Sequence, residues 1–472
     1  MSIPENIVDV NTLEKEIFRQ VCELGREALR AALESYDEEL HCKRDKSVYR
    51  DKGLRKTTCK TVMGESEYRR HIYKVRGGEG RDKYVYLLDE AIGCSGNGFF
   101  SVTLMEEIAR TCCGSSYREA AREVSALTGQ TISHTAAWKI VQQLGEGVGS
   151  QERQAAALAA KCAGKGTLET KLLFEEQDGV WLKLQGKSRK EHGVSKEMKL
   201  AIAYDGAVKV GKKRWELTNK VACANFEGAA RFQRRKEGVI AADYNVDMIE
   251  MRLLNGDGAA WIKSAAKYGE AHFQLDQFHR NKAIRTYVRD EDVRDEITEL
   301  LYDKEIDLLL EYIATAAENA DDEIERENLL TLLTYFTENK DGLIPCRRRG
   351  LRYPEPPEGK EYRRMGAMES NVFTILGNRM KGRRACWSIN GANNMARLLC
   401  LKVTNKLSDT LRRLPSAVLP EKYADEALTS MTAAQAPKTN GKGYEPRRSG
   451  AFPSTGAYKT LRRIGAAASP LV

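Results

Sequence analysis

Three acidic residues stand where a carboxylate needs a specific partner, and the first of them is Asp178. Asp178 and Glu176 share strand parity with five apolar residues. These are Leu172, Phe174, Val180, Leu182 and Leu184. An ionised carboxylate on such a core-facing row is costly unless it is paired, and a divalent cation is an efficient partner. A strand bulge at Gly179 that turns both acids to water is the alternative.

Asp257 and Glu369 are the other two acids. Asp257 ends an apolar segment and lies between Gly256 and Gly258. The carboxyl ends of strands are where open α/β sheets place ligands, and flanking glycines let the backbone come close. Glu369 stands at the start of a predicted helix and would project from its first turn toward the sheet. The alternatives are a helix N-cap at Asp257 and a favourable helix-dipole position for Glu369.

Together the three acids predict a site for two divalent metal ions. Ions about 3.5–4 Å apart need shared carboxylates, and this arrangement is the usual solution for in-line attack on a phosphodiester. One ion activates water or a DNA 3′-hydroxyl, and the other stabilises the leaving oxygen. Ligands that are all oxygen favour Mg²⁺, with Mn²⁺ as its substitute.

The segment that carries Asp178 and Asp257 has the pattern of an α/β sheet. Alternating apolar residues predict three strands from about residue 168, then a helix, a strand that ends at Asp257, a second helix and a strand at 271–276. This order predicts a five-stranded sheet of mixed direction with helices on its faces. Residues 165–285 therefore form the first part of a catalytic core, and 346–405 supply its last helix.

The sequence of residues 286–345 predicts an acidic, all-helical insert between the two parts of the core. They hold 18 acidic and five basic side chains, a net charge of −13. An apolar stripe should pack internally against 329–336. It consists of Ile297, Leu300, Leu301, Leu308, Leu309 and Ile313. Because this charge repels phosphate, we expect the insert to face away from bound DNA.

The chain before the core has the features of a DNA-binding region. Residues 1–40 predict a helix, 41–110 a basic β-hairpin around Met63-Gly64-Glu65 with a helical part, and 111–150 a helix-turn-helix. In such a motif the second helix, capped here by Ser133, lies in the major groove. Its exposed side chains would be His134, Thr135, Lys139 and Gln142. An ordinary αα-hairpin is the alternative.

The distribution of charge also indicates a polyanionic partner. The net charge is +9, yet 41–76 alone carry +8 and 437–472 carry +6. The first of these stretches is the hairpin, the second is predicted to be a basic disordered tail, and 406–436 precede it as a helical segment. A basic cluster after Glu369 would contact backbone phosphates. It comprises Arg379, Lys381, Arg383 and Arg384. A solvated surface and a flexible tail are the alternative to nucleic-acid binding.

Composition argues against membrane and secreted classes. No apolar run approaches the 18 residues that span a bilayer, and the N-terminus lacks a basic start with an apolar stretch. Eleven cysteines, an odd number, indicate reduced thiols and a cytoplasmic, nucleoid-associated protein. A zinc site is suggested only weakly, because no Cys-x-x-Cys or other tight pairing occurs. Its ligands would be His41, Cys42, Cys59 and His71.

Several motifs resemble DDE transposases with an RNase H-like core, and more closely the ISLre family of bacterial insertion-sequence transposases, also grouped as an uncharacterised protein family. The motifs in the core are EEQDGVWLKLQG, LLNGDGAAWI, LDQFHRNKAI and MESNVFTILGNRMKGRRACWSINGANNMARL. Two more, KTVMGESEYRRHIYK and YVYLLDEAIG, precede the core. The likeness therefore runs from about residue 55 to residue 400.

This resemblance implies a function and roles for individual residues. It implies Asp178, Asp257 and Glu369 as a catalytic triad with two Mg²⁺ or Mn²⁺ ions, acting on terminal inverted repeats and target DNA as a homodimer or higher oligomer. Asp276 and His279 match an Asp-x-x-His motif that similar transposases carry. A structure-specific nuclease or resolvase, and a non-catalytic DNA-binding regulator, are the rival functions.

Two further residues keep more than one interpretation. His279 would position a nucleotide, assist proton transfer or brace the insert. Trp387 resembles tryptophans that stack on flipped bases at transposon ends, although an isolated tryptophan is more often part of a core.

Overall fold

The computed structural model describes residues 9–76, 82–93, 99–161 and 166–414. The predicted basic tail at 437–472 lies outside the described residues, as does the predicted helical segment at 406–436 beyond residue 414. Among the helices in the described ranges, none is both long and apolar enough to cross a membrane.

A long helix and a β-hairpin form the N-terminal part. The elements are α1 (Val10–Lys43), β1 (Arg50–Thr61), β2 (Gly64–Arg76), β3 (Asp82–Val85), α2 (Leu87–Ala91) and β4 (Phe99–Phe100). Strands β1 and β2 pair antiparallel, and the turn between them ends at Gly64. The φ angle of Gly64 is +111°, a value that glycine adopts readily and other residues rarely do. The predicted basic hairpin is therefore confirmed. β3 pairs with β2, and β4 pairs parallel with β1.

Three helices follow the hairpin sheet. They are α3 (Val102–Cys112), α4 (Tyr117–Thr128) and α5 (His134–Ala159). The two helices of the predicted helix-turn-helix are present as α4 and α5. Gly129 ends α4 in the left-handed region at φ +63°, and the Ser133 hydroxyl accepts a hydrogen bond from the N–H of Ala136. Helix α5 continues to Ala159, past the predicted end at residue 150.

A five-stranded sheet of mixed direction forms the centre of the fold, as predicted. Its strands are β5 (Leu172–Lys183), β6 (Ser195–Tyr204), β9 (Val221–Asn225), β10 (Met251–Gly256) and β11 (His272–Leu275). Their order across the sheet is β9-β6-β5-β10-β11; β5, β6 and β9 pair antiparallel, and β5, β10 and β11 parallel. Helices α6 (Gly186–His192), α7 (Ala229–Asp243) and α8 (Ala260–Tyr268) lie between strands in sequence. The short strands β7 (Ala207–Lys209) and β8 (Trp215–Leu217) form a separate hairpin.

The central strand β5 is regular through the first acid. Asp178 pairs opposite Leu200 and Gly179 opposite Lys199, and the register is unbroken along the whole strand. The alternative of a bulge at Gly179 is therefore wrong. The five apolar residues that share the parity of Asp178 are all buried, so this face of β5 points into the main hydrophobic cluster.

The acidic insert is a compact helical unit. Its helices are α10 (Glu291–Asp303), α11 (Ile306–Glu318) and α12 (Glu323–Glu338), and α9 (Gln277–Tyr287) leads into it from the sheet. The predicted packing of the apolar stripe against 329–336 is confirmed, because both sets share one buried cluster. Leu308 is the exception and is 51% exposed. Of the two adjacent leucines on α11, Leu309 faces the other helices and Leu308 faces solvent.

The last part of the chain returns to the sheet. It contains α13 (Met368–Asn371), a π-helical segment (Val372–Lys381), α14 (Ile389–Val403) and α15 (Leu407–Arg412). Helix α14 is buried between the sheet and α5, and its apolar residues belong to the same cluster as those of α3, α4 and β5. The helix-turn-helix and the sheet are thus held by one continuous core.

Glycines allow α5 to approach its two neighbours closely. A Cβ at Gly145 would lie 2.5 Å from the Cβ of Asn394 on α14. A Cβ at Gly238 on α7 would lie 2.4 Å from the backbone nitrogen of Ala156. These contacts explain why α5 extends beyond the predicted motif: its second half is a core helix of the sheet.

We expect Gly145→Ala to destabilise the protein by about 1–3 kcal/mol, because the added methyl group forces two packed helices apart. Chemical denaturation followed by circular dichroism measures this change. Gly211→Ala is the control, since its Cβ would meet only the Cβ of Arg214 at 3.6 Å, an ordinary contact. Equal stability of the two variants would contradict the close packing of α5 against α14.

Candidate metal centre

The fold brings together side chains from three separate elements. Asp178 on β5, His279 on α9 and Glu369 on α13 have potential ligand atoms that all lie within 4.8 Å of one another. The Nε2 atom of His279 is 3.3 Å from Oε1 of Glu369. Two of the three predicted acids are therefore neighbours. His279, for which the sequence suggested only accessory roles, belongs to the same cluster.

Asp257 stands beside this cluster rather than within it. It follows β10, whose last residue, Gly256, pairs with Gln177 of β5 and with Leu275 of β11, so Asp257 lies at the same end of the sheet as Asp178. Its negative charge raises the pKa of Asp178. One of its oxygens, Oδ1, accepts a hydrogen bond of 2.9 Å from the N–H of Ala259. This bond forms a turn before α8, whose N-cap residue is Ala259 and has no side-chain cap, so the N-cap alternative for Asp257 is wrong. The other oxygen, Oδ2, remains as a potential ligand atom.

The electrostatics of Asp178 favour a bound cation. The pKa of Asp178 is raised to about 6, chiefly by burial and also by the charges of Asp257 and Glu369, against the lowering effects of the Gly179 N–H and His279. The Gly179 N–H donates to Oδ1 of Asp178 at 2.7 Å. Carboxylates that repel one another in a half-buried site gain most from a divalent ion, which replaces the proton as their partner.

We expect Mn²⁺ binding at this site to weaken as the pH falls below about 6, because protons compete for Asp178. The apparent affinity should fall by about tenfold per pH unit in that range. In the metal-free protein, the free energy of unfolding depends on pH in the opposite direction to the affinity for Mn²⁺. The raised pKa means that the folded protein holds this proton more tightly, so stability declines as the pH rises from 3.8 toward 6.

Mn²⁺ titration followed by electron paramagnetic resonance between pH 5 and pH 8 measures this effect. Asp178→Asn should remove both the pH dependence and most of the affinity. A pH-independent affinity in the unmodified protein would show that Asp178 is not a ligand.

Glu176 has a structural role that the sequence did not reveal. It is fully buried, and its carboxylate accepts hydrogen bonds from Tyr204, Asn255 and three consecutive backbone N–H groups. Those three groups belong to Gly366, Ala367 and Met368, directly before Glu369. Glu176 therefore connects the central strand to the segment that presents the third acid. Its parity with Asp178 signalled burial, but only the fold shows which donors satisfy it.

Asp276 orients His279 through the backbone. Its side chain caps α9 by accepting hydrogen bonds from the N–H groups of Phe278 and His279 at 2.9 and 3.1 Å. Its other oxygen accepts a hydrogen bond from Asn255 at 2.7 Å. This fixes the first turn of α9, and with it the direction of the His279 ring. The Asp-x-x-His motif is thus a helix cap followed by a residue of the site.

The insert braces the second acid. The hydroxyl of Tyr335 on α12 donates a 2.9 Å hydrogen bond to the backbone oxygen of Asp257. Gly258, at φ +89°, lies so close to Asn339 that a Cβ there would be 2.4 Å from its amide oxygen. The ends of the insert therefore return to the sheet at the site itself, as the sequence required for the third acid to reach it.

Trp387 is part of the core in this structure. Its side chain is 6% exposed, and its indole N–H donates to the backbone oxygen of Met380 at 3.0 Å. The guanidinium of Arg379 lies 5.2 Å from its ring and 5.4 Å from that of Tyr117. In this conformation the indole is not free to stack on a base, so the structural interpretation of Trp387 holds.

The predicted phosphate contacts after Glu369 differ in exposure. Lys381 and Arg384 are exposed. Arg379 is half-buried and donates a 2.7 Å hydrogen bond to the backbone oxygen of Cys112, so it braces α3. The backbone of Arg383 lies in the same turn as that of Arg384.

The predicted groove-facing residues of α5 divide in the same way. His134 and Thr135 are exposed in its first turn, and Lys139 is half-buried. Gln142 is also half-buried, so the expected exposure is wrong for both Lys139 and Gln142. The side-chain oxygen of Gln142 accepts a 3.0 Å hydrogen bond from Asn394, because α14 covers that face of α5.

Comparison with known proteins gives the chain a family. The sequence profile of UPF0236, an uncharacterised protein family, matches residues 3–412. A UPF0236 protein of Streptococcus gallolyticus, named for its position in the vanSb 3′ region, is 25% identical over 404 residues, which cover 83% of this chain and 82% of the relative. A UPF0236 protein of Caldanaerobacter subterraneus subsp. tengcongensis, whose name joins eleven locus designations, is 23% identical over 351 residues, 72% of this chain and 68% of the relative. The family profile covers residues 3–412, well over half of the chain and all of the candidate site, and the chain therefore belongs to the uncharacterised protein family UPF0236.

Proposed function

We propose that the protein is a DDE-type transposase that binds the terminal inverted repeats of an insertion sequence and cleaves and joins DNA strands. The observation that carries this proposal is the convergence of Asp178, His279 and Glu369 at one end of the sheet, with Asp257 beside them. Acidic residues from three distant parts of the sequence meet there although their charges repel. A site for divalent metal ions accounts for this cost.

The sheet supports an RNase H-like core. Three antiparallel strands, β5, β6 and β9, are followed in sequence by two strands parallel to β5, and β5 is central. The first acid lies on that central strand and the second follows its parallel neighbour, β10. This is the arrangement that the resemblance to RNase H-like transposases implies. The helical insert before the third acid has the same place that the resemblance predicts.

The donor set fits a hard divalent ion such as Mg²⁺ or Mn²⁺. Asp178, Asp257 and Glu369 offer carboxylate oxygens, and the pKa of Asp178 is raised by burial and by the other two acids. Bound there, such ions would supply Lewis acidity for in-line attack on a phosphodiester. His279 lies within reach of the Glu369 carboxylate and orients it, while Asp276 orients His279.

The remainder of the chain supplies surfaces for DNA. The hairpin strands carry most of the excess positive charge of 41–76, and His134 and Thr135 are exposed at the start of α5. The exposed Lys381 and Arg384 follow the third acid in sequence. These positive surfaces would hold phosphates, whereas the acidic insert would face away from them. Such a protein would act in the cytoplasm on nucleoid DNA, as a dimer or higher oligomer.

The family supports a mobile element. One relative in Caldanaerobacter carries a name that joins eleven locus designations, and another joins four. Repeated loci of nearly the same protein in one genome are the expected result of an insertion sequence that copies itself.

The test is strand cleavage and joining on a plasmid that carries the inverted repeats flanking the gene, with and without Mg²⁺. We expect cleavage at the repeat ends and transfer of the 3′ ends to target DNA only with the metal. Cleavage without joining would favour a structure-specific nuclease or resolvase. Specific binding of the repeats without any strand breakage would favour a DNA-binding regulator. If the protein neither bound nor cleaved the repeats, the proposal would be overturned.

A further inference from the structure

A second cluster of potential metal ligands lies in the N-terminal part of the fold. His41 is in the last turn of α1, Asp51 is on β1 and His71 is on β2, and their ligand atoms all lie within 4.8 Å of one another. The two imidazole rings stack with their centroids 4.0 Å apart. None of these residues belongs to the site around Asp178, and the proposed function does not use them.

Each imidazole is already held from one side. Nδ1 of His71 lies 2.6 Å from Oδ2 of Asp37, a carboxylate that is 2% exposed and also accepts the backbone N–H of His71. Nδ1 of His41 lies 3.1 Å from the hydroxyl of Tyr73. These contacts leave Nε2 of each ring for another partner. A carboxylate on the far nitrogen of a histidine is the usual support of a metal-binding imidazole, because it fixes the ring and raises its basicity.

The cysteines that the sequence offered as ligands take no part. Cys42 is exposed and its Sγ contacts Glu38, while Cys59 is buried in a small apolar cluster with Tyr68 and Leu88. The ligand set is therefore two imidazoles and one carboxylate. Sequence spacing did not reveal it, since a helix, a connecting turn and two strands bring the three residues together.

We propose that His41, Asp51 and His71 bind one zinc-class divalent ion, which fastens the end of α1 to the β1–β2 hairpin. Two neutral imidazoles and a carboxylate are a common three-residue set for zinc, with water as a fourth ligand. Zinc bonds of about 2.0–2.1 Å in a tetrahedron place ligand atoms about 3.4 Å apart, so the three groups, which lie within 4.8 Å, need only a small approach. Asp51 is exposed near the start of its strand, where its Oδ1 accepts a 2.9 Å hydrogen bond from the N–H of Gly53, which leaves Oδ2 for the ion.

The charges around the cluster permit a cation. Asp37 and Asp51 supply two negative charges, and Arg44 is the nearby positive group. The Arg44 side chain stays beside the cluster, because it donates to the backbone oxygen of His41 and lies 5.7 Å from the ring of Tyr73, and it offsets one of the two negative charges. Without a metal, two stacked imidazoles beside a buried carboxylate are left with unused nitrogen atoms.

The test uses the full chain, stripped with a chelator, and titrated with Co²⁺ and then Zn²⁺ in the presence of excess Mg²⁺. We expect one Co²⁺ per chain with a tetrahedral absorption spectrum, displacement by Zn²⁺, and a higher Tm in the zinc-loaded protein. His41→Ala and His71→Ala should weaken binding by about 100-fold or more, and Asp37→Asn, which removes only the support of the ring, by about 10–100-fold. The double variant Asp178→Asn/Glu369→Gln should bind zinc as the unmodified protein does.

The control is His192→Ala, which removes an exposed histidine at the end of α6. Asp51→Asn decides the matter if the histidine variants fail to fold, because an exposed side chain is not needed for the core. Absence of stoichiometric binding in the unmodified chain would overturn the proposal. Zinc binding that stays unchanged both in Asp51→Asn and in one of the histidine variants would also overturn it. So would loss of zinc binding in the double variant Asp178→Asn/Glu369→Gln.

Discussion

Asp178→Asn is expected to reduce strand cleavage and joining by at least about a thousandfold while leaving binding to the inverted repeats nearly unchanged. The substitution keeps the size of the side chain and removes the charge that a divalent ion needs. Asp257→Asn and Glu369→Gln should have effects of similar size, because ligands that share metal ions act as a unit. Cleavage of a labelled repeat-end substrate, with binding measured by gel shift, gives both quantities.

Glu250→Gln is the matched control for this series. Glu250 pairs with Lys171 on the surface, and neither residue contacts the site. If Asp257→Asn remained active, Asp257 would not be a metal ligand, and its role would be limited to the turn in which it accepts the N–H of Ala259. If all three variants cleaved at the rate of the control, the proposed two-metal chemistry would be wrong.

Glu176→Gln is expected to have the second largest effect, although Glu176 does not reach the reacting atoms. The carboxylate of Glu176 accepts hydrogen bonds from five donors. An amide keeps only one oxygen as an acceptor and turns an NH₂ group toward some of these donors, which then lose their partner. Buried donors left without partners cost about 1–3 kcal/mol each, so we expect a loss of about 2–3 kcal/mol in unfolding free energy. Cleavage should fall by about a hundredfold or more, because the segment before Glu369 loses its anchor.

Separate measurements distinguish this positioning role from a general loss of stability. Hydrogen exchange at 366–368 should rise in Glu176→Gln at temperatures where the rest of the chain stays folded, and the affinity for Mn²⁺ should fall. Glu358→Gln, in an exposed part of the same connecting segment, should change neither. Normal exchange at 366–368 together with reduced cleavage would assign Glu176 a direct role in the chemistry.

The alternation of side chains made the sheet predictable. Apolar residues at every second position on β5 and its neighbours placed five strands, and the register through Asp178 follows from that period. The separation of the acidic insert was equally clear, since its helices bury their own apolar stripe. The predicted burial of Leu308 was wrong, because the sequence of such an apolar helix does not show which of two adjacent leucines faces inward.

The extent of α5 and the exposure of Gln142 were not predictable in the same way. A helix with one apolar stripe shows its buried face, but α5 is covered on one side by α4 and on another by α14, far away in sequence. The same limit hid the role of Glu176 and the meeting of His41 with His71. Contacts between distant segments determine these features, and no local period records them.

The packing of α14 against α5 has a consequence for protein synthesis. The helix that closes the core and the acid that completes the metal centre are both encoded late, whereas their partners on α5 and β5 leave the ribosome much earlier. A nascent chain that ends before α14 has neither Glu369 held in place nor a cover for the apolar face of α5. The order of these segments along the chain thus delays assembly of the candidate site until α14 has been synthesised. If the protein is the transposase proposed above, a chain terminated before Glu369 would be inert toward DNA.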